Sequence, residues 1–230
     1  MKIIILSRFL LVLLLSALFV SCSDNNEYED KNDDLVINHE YVDLGLPSGI
    51  KWATCNVGAT KPEEYGGYYA WGETEEKANY DWSSYKWCNG NAYSITKYCT
   101  DNNYGAVDNI SILNLEDDVA HLKWGGSWRM PTGSELEELY ENCDWQWTTF
   151  NDVYGYFGKG PNGNCIFLPA AGSYSYINID GMGCYGIYWA SLLDDDSNNG
   201  AWALYFGADD WDFDENNYRY NGRSIRPVCE

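Results

Sequence analysis

Basic residues are scarce in this chain. Its 14 Lys and Arg face 35 Asp and Glu, for a net charge of −21. A field of that sign repels phosphate backbones, which argues against nucleic acid as a partner. Histidine is scarcer still: His39 and His121 are the only two. With no G-x-S-x-G, H-E-x-x-H or phosphate-binding glycine loop present, a catalytic triad would have to be built from this pair. No C-x-x-C occurs among the 8 cysteines, so zinc-knuckle and thioredoxin-type motifs are absent. The longest apolar run, residues 9–20, is interrupted by Ser16. It falls short of the roughly 20 residues a membrane-spanning helix needs.

That run has the features of a targeting segment. Lys2 and Arg8 form a basic start, and residues 1–21 read as a signal peptide. Leu18-Phe19-Val20-Ser21-Cys22 resembles a lipobox. The resemblance implies cleavage before Cys22, a diacylglycerol on its sulfur, and a lipid-anchored place in a bacterial outer membrane. The acidic start that follows, from Ser23 to Glu27, is similar to the signal that sends some lipoproteins to the cell surface. Residues 22–34 are too polar to bury themselves and read as a tether. Residues 35–230 are of a size for one domain.

Within that domain aromatics are abundant: 11 Trp and 20 Tyr, more than solubility favours, which points to an adhesive face. Strands are expected at residues 41–46, 51–56, 67–71, 144–149 and 165–170. Asn162-Gly163 marks a hairpin turn before the last of these. Residues 72–105 are irregular and rich in Asn, Tyr and Trp. They read as a long functional loop, stapled by Cys88 and Cys99. One helix is expected at 115–123, with acids in its first turn and His121 and Lys123 in its last. A second begins at the capping box Thr132-Gly133-Ser134-Glu135. Its Leu136, Leu139, Tyr140 and Cys143 repeat at helical spacing. Residues 174–186 read as a Gly/Tyr loop.

The closing segment, residues 188–229, holds an aromatic strand, an acidic turn and the run AWALYF at 201–206. In that run Trp202, Leu204 and Phe206 fall on one face and Ala201, Ala203 and Tyr205 on the other, the period of a half-buried strand. A loop rich in Asp, Asn and Tyr follows at 209–221. Residues 224–229 form a last strand that must pair with something earlier.

Several phrases together resemble the Fibrobacter succinogenes major paralogous domain family. They are VDLGLPSG (42–49), WATCNVGA (52–59), YAWGE (69–73), WRMPT (128–132), YWAS (188–191), AWALYF and GRSIRPV (222–228). The resemblance spans roughly residues 40–230. It implies an α+β, C-type-lectin-like fold, with paired N- and C-terminal strands and a binding face on long loops. It implies no general activity. The paired ends it implies bring Cys55 toward Cys229, a candidate disulfide worth about 2–4 kcal/mol. Cys165 and Cys184 flank one loop and read as a second pair, or as an echo of the copper-binding cysteines in the similarly folded formylglycine-generating enzymes.

Ligand binding is the function these residues favour. Asp210, Trp211, Asn216, Tyr218 and Tyr220 are expected on one surface, beside Trp82 and Trp87 of the long loop. Tyr and Trp give contact area at low entropic cost, and Asn and Asp adaptable hydrogen bonds, a mixture suited to a glycan or protein ligand. No catalytic residue is singled out and no cofactor is expected. Calcium is the one metal the pattern admits, at Asp195, Ser197, Asn199 and Gly200, although Phe206 stands where an EF-hand places its glutamate. A carbohydrate-active enzyme and a surface-appendage subunit are the alternatives on the same fold.

Overall fold

The computed structural model describes residues 39–194 and 196–230, leaving aside the side chains of residues 213–217. The signal segment, Cys22 and the tether lie outside the described residues, as do Asp195 and the Asn216 side chain. In chain order the strands are β1 (Tyr41–Asp43), β2 (Lys51–Ala53), β3 (Asp144–Phe150), β4 (Val153–Lys159), β5 (Cys165–Pro169) and β6 (Ser173–Ser175). They continue with β7 (Asn178–Asp180), β8 (Tyr185–Leu193), β9 (Gly200–Gly207), β10 (Trp211–Tyr218) and β11 (Val228–Cys229). The helices are α1 (Val119–Trp124) and α2 (Gly133–Asn142). The architecture is α+β: three-stranded antiparallel sheets β1-β2-β11, β3-β4-β5 and β8-β9-β10, and the hairpin β6-β7. No described helix is long and apolar enough to cross a membrane.

The alternation at 201–206 divides two cores. Leu204 and Phe206 of β9, with Tyr188 and Ala190 of β8, pack against α2, Trp52, Leu168 and Val228. On the other face Ala201, Ala203, Ile187, Trp189 and Leu193 pack against Tyr69, Trp71, Tyr98 and Met130. The strand expected to be half-buried therefore has both faces covered, because the long loop closes over its second side. Gly186 lies opposite Phe206 in the register, and a Cβ there would come within 2.3 Å of the phenyl ring. The missing side chain is what lets that ring lie across β8.

The N- and C-terminal strands pair as expected: β11 lies beside β2, Val228 opposite Trp52 and Cys229 opposite Lys51. Arg226, 1% exposed, locks the junction. Its Nε donates to Asn56 Oδ1 at 2.8 Å, and Nη1 to the carbonyls of Ala53 (3.2 Å) and Thr54 (3.3 Å). Nη2 reaches Phe167 O at 2.9 Å. The capping box also forms: Glu135 N–H donates to Thr132 Oγ1 at 3.2 Å, and Thr132 N–H to Glu135 Oε2 at 2.7 Å. Arg129 holds the same carboxylate with two bonds, at 2.8 and 2.6 Å. Since Arg129 bridges to Val228, the helix start is tied to the terminal sheet.

Several expectations are corrected. All seven described cysteines are thiols, so the Cys55–Cys229 bridge is not formed. The register explains it: Cys229 faces Lys51, and Cys55 lies four residues farther along, on the order of 10 Å away and beyond disulfide reach. Cys55 Sγ donates instead to Ala59 O at 3.4 Å. Cys88 and Cys99 donate to the carbonyls of Trp82 (3.1 Å) and Asp101 (3.2 Å), so no disulfide staples the long loop. Cys184 is exposed and unpaired with Cys165. The expected helix at 115–123 divides, because Asp118 turns its carboxylate back onto the N–H groups of Ala120 and His121 and caps α1. Residues 67–71 make only a bridge, Tyr69 to Arg223. Much of the expected loop at 209–221 is strand β10, and the 174–186 loop contains β6 and β7.

Replacing Arg226 by Met would leave four acceptors, three of them in buried bonds, without their donor. Urea unfolding should show a loss on the order of 3–5 kcal/mol; a loss under about 1 kcal/mol would mean the junction does not depend on it.

Glu135 supplies a pH signature. Burial works against its ionisation, but the bonds from Arg129 and Thr132 outweigh that and hold its pKa below the ordinary value. A carboxyl depressed in the folded state stabilises above its unfolded pKa, and that stability is lost as pH falls through the folded pKa. Melts below about pH 4.5 should therefore be less pH-dependent in Glu135→Gln than in the parent.

Candidate functional site

The end of β10 meets the long loop. Tyr218 pairs with Gly200 of β9 and is 47% exposed. The strand ends here in a turn closed by Asn221 N–H to Tyr218 O at 3.0 Å, and that turn directs the next side chain, Arg219, inward, where it is fully buried. Its Nε donates to the Tyr85 hydroxyl at 2.9 Å. Its Nη1 donates to the carbonyls of Tyr98 (2.9 Å) and Asn198 (3.0 Å), and Nη2 to Lys97 O at 3.0 Å. The guanidinium also lies over the Trp71 and Tyr85 rings, 4.9 and 5.3 Å from their centroids. Tyr220 then turns back to the side of Tyr218. The two rings stack at 5.5 Å with an 18° interplanar angle.

Trp82 completes the arrangement. It stands edge-on to Tyr220 at 5.0 Å and to Tyr218 at 6.0 Å and 67°. Tyr85 supports it from behind at 5.7 Å. The turn carrying Trp82 is built on Asp81, whose carboxylate accepts from Ser83 Oγ (2.7 Å), Asn79 Nδ2 (2.8 Å) and Ser84 N–H (3.0 Å). Hydrogen bonds from Ser83 and Asn79 bring the Asp81 pKa down to about 2. Tyr220 is 7% exposed, and burial pushes its hydroxyl up to about 12. On its other side Tyr176, 58% exposed, comes within 6.4 Å.

The loop holding Trp82 is ordered by aromatic polar atoms. Tyr85 Oη donates to Trp71 O at 2.8 Å, and Trp87 Nε1 to Gly72 O at 2.7 Å. Tyr98 Oη donates to Asp117 Oδ2 at 2.6 Å. Trp71 and Trp189 cross, each indole donating at 2.9 Å to the other segment, at Ala190 O and Tyr69 O. Such groups satisfy carbonyls that irregular backbone would otherwise bury unpaired.

The expected binding residues thus divide. Trp82, Tyr218 and Tyr220 come together, with Tyr220 as a buried floor rather than an exposed contact. Trp211 is at the far end of β10, roughly 20 Å of strand away. There it is half-buried against the main core, packing on Tyr156 (4.5 Å), Trp145 (4.8 Å) and Phe206 (5.2 Å). Asp210 is exposed in the β9–β10 turn at that same distant end. Trp87 is scaffold, lying under Lys86 Nζ (4.1 Å) and Lys97 Nζ (4.9 Å) and against Tyr98. Sequence reading missed Tyr176, which sits in a turn whose residues carry no strand or helix period.

In the calcium-type turn, Ser197 Oγ donates to Asn199 Oδ1 at 2.7 Å. Asn198 Oδ1 accepts from Asp101 N–H at 2.9 Å. Among the described residues no group of three or more His, Cys, Asp and Glu side chains is placed to hold a metal ion. His39 stacks on Trp124 at 3.8 Å, and His121 Nδ1 lies 3.2 Å from Trp128 O. A separate groove of about 390 Å³ lies beside the start of α2, walled by Ile112, Leu192 and Trp202.

No protein-family model, no curated protein and no solved structure matches the chain.

Tyr218 and Tyr220 should separate in thermal and urea melts. Tyr220→Ala removes the floor between two packed loops and should cost about 3 kcal/mol. Tyr218→Ala should stay within about 0.5 kcal/mol of the parent. Equal losses in both would place Tyr218 in the packing instead.

Proposed function

We propose that the chain is a surface-displayed bacterial lipoprotein whose C-type-lectin-like domain binds a glycan or protein ligand without turning it over. In this reading it belongs with the Fibrobacter succinogenes major paralogous domains. The paired chain ends, small antiparallel sheets and long ordered loop support that placement. One observation carries the binding function: an exposed Tyr218 and a partly exposed Trp82 form an open aromatic corner on a rigid base. A corner made only for packing would bury both rings. Here the polar work falls to Arg219 and the packing to Tyr220, which leaves the outer rings available. Cys22 supplies the anchor, and two or three acyl chains hold a protein to a bilayer where one would not.

Two measurements test this. Trp82→Ala and Tyr218→Ala should each weaken ligand capture by intact cells while melting curves stay near the parent's. Cys22→Ser should move the protein from the membrane to the soluble fraction. Undiminished capture by both aromatic variants would remove the corner as the site. Retention of Cys22→Ser in the membrane with an uncleaved signal would remove the lipid anchor.

A further inference from the structure

The aromatic corner is one end of a longer track. From Trp82 and Tyr218 the rings continue through Tyr220 to Tyr176, with centroid steps of 5.5 Å (Tyr218 to Tyr220) and 6.4 Å (Tyr220 to Tyr176). Tyr176 begins the turn between β6 and β7 and has φ +52°, a left-handed conformation that bulky residues rarely adopt. Two backbone bonds with Tyr80, of 2.7 and 2.8 Å, hold it there. Strain of this kind persists where surrounding structure over-determines it, and it gathers at ligand clamps. Here it fixes a mostly exposed ring beside Tyr220.

At the Trp82 end of the track the adjoining turn carries a negative charge. Asp81, next to Trp82, keeps its carboxylate ionised through its hydrogen bonds with Ser83 and Asn79. Lys77 and Lys86, the nearest basic residues on either side of Trp82 in the chain, are each paired already. Lys77 Nζ is 2.9 Å from Glu73, and Lys86 Nζ is 3.3 Å from Asp117. The Arg219 guanidinium is consumed inside the protein. An anionic ligand at the Trp82 end would meet the Asp81 carboxylate, while Arg223, close enough to Tyr220 to act on its hydroxyl, is itself buried.

We propose that this track binds an extended, uncharged glycan without calcium, one sugar ring in the Trp82–Tyr218 corner and a following ring toward Tyr176. The proposal rests on the binding function argued above and narrows it to a ligand class. A pyranose has an apolar C–H face that packs on an aromatic ring and an equator of hydroxyls that seeks amide and carboxylate partners. The corner offers a ring face and a ring edge at 67°, with Asn79 and Asp81 in the adjoining turn. A uronic or sialylated sugar would bring its charge against Asp81. Specificity of this kind comes as much from the repelled class as from the accepted one.

The test uses the full chain with cello-, malto-, xylo- and manno-oligosaccharides of two to six residues. Oligogalacturonides serve as the anionic counterpart, and every titration is run with and without EDTA. At least one neutral series should bind, with affinity rising with length and no change on EDTA. Trp82→Ala and Tyr218→Ala should each lose at least about tenfold, and Tyr218→Phe should retain binding. Tyr176→Ala should weaken the longer oligosaccharides and spare the shortest that binds. Binding by the anionic series alone, a requirement for calcium, or neutral binding indifferent to Tyr176 would overturn the proposal. If no sugar binds but a protein ligand is captured in a Tyr218-dependent way, the glycan assignment falls and the binding function stands. Sugar binding that survives both corner variants would sink the two together.

Discussion

Two buried guanidinium groups with no carboxylate partner among the described residues constrain this fold more than any other feature. Arg219 and Arg226 are essentially inaccessible to solvent, and their partners among the described residues are carbonyls, an amide oxygen and a phenol. Burying a cation is costly unless every donor finds an acceptor. Burial indeed draws the Arg226 pKa below its ordinary value. The planar fork of five donors is what makes the arrangement feasible, since one side chain can bind several strands' carbonyls in fixed directions. Arg226 joins the end of β2, Asn56, and β5. Arg219 joins the long loop to the segment before β9. Loss of either would leave several acceptors bare at once, so these segments order together.

The same economy orders the aromatic loop. An irregular segment from Trp71 to Leu113 must pair its backbone without long ladders or disulfides. Tyrosine and tryptophan do this because each joins a large apolar body to a single polar atom. Tyr85, Trp87 and Tyr98 each bury rings while closing a hydrogen bond to the loop or its base. Lys97 and Asp117 add a 2.6 Å ion pair beneath. Burial opposes ionisation of Asp117, yet bonds from Lys97 and Tyr98 keep its pKa below the ordinary value. The abundance of aromatics in this stretch is therefore mostly architecture. Among the described residues Trp82, Trp87 and the stacked Tyr93–Tyr104 pair bring rings of the loop toward solvent, and Trp87 lies under two lysines.

Local signals explain which parts were legible in the sequence. The Thr132 capping box, the two-faced run at 201–206 and the pairing of the closing strand each follow from a short pattern with one mechanism. Tyr218 and Trp82 were recognisable as candidates for contact. Trp211 was misplaced because residues 209–221 look like a polar loop, and only the register with β9 lays its ring against the core. Tyr220 was misjudged for a related reason: nothing local says that the long loop folds over it. Cysteine partners depend on registers several elements apart. The turn between β3 and β4 uses Asn151 and Asp152, both with positive φ, in place of the Asn-Gly pair that signals such hairpins most clearly.

Placing a binding ring beside a buried cation resolves a conflict that loop sites face. A ligand gains most from side chains that need not be ordered on binding, yet a side chain exposed at a strand end is usually free to move. Tyr218 and Tyr220 flank Arg219, and the turn that ends β10 puts their rings on one side and the guanidinium on the other. Four hydrogen bonds from Arg219 fix the backbone at that point. Stacking on Tyr220 and the edge of Trp82 then limits the rotamers open to Tyr218. Rigidity reaches the surface through three consecutive residues, so the exposed ring is held by interactions that a ligand need not touch. A change at Tyr218 can alter recognition while leaving this support intact, whereas a change at Arg219 would alter both.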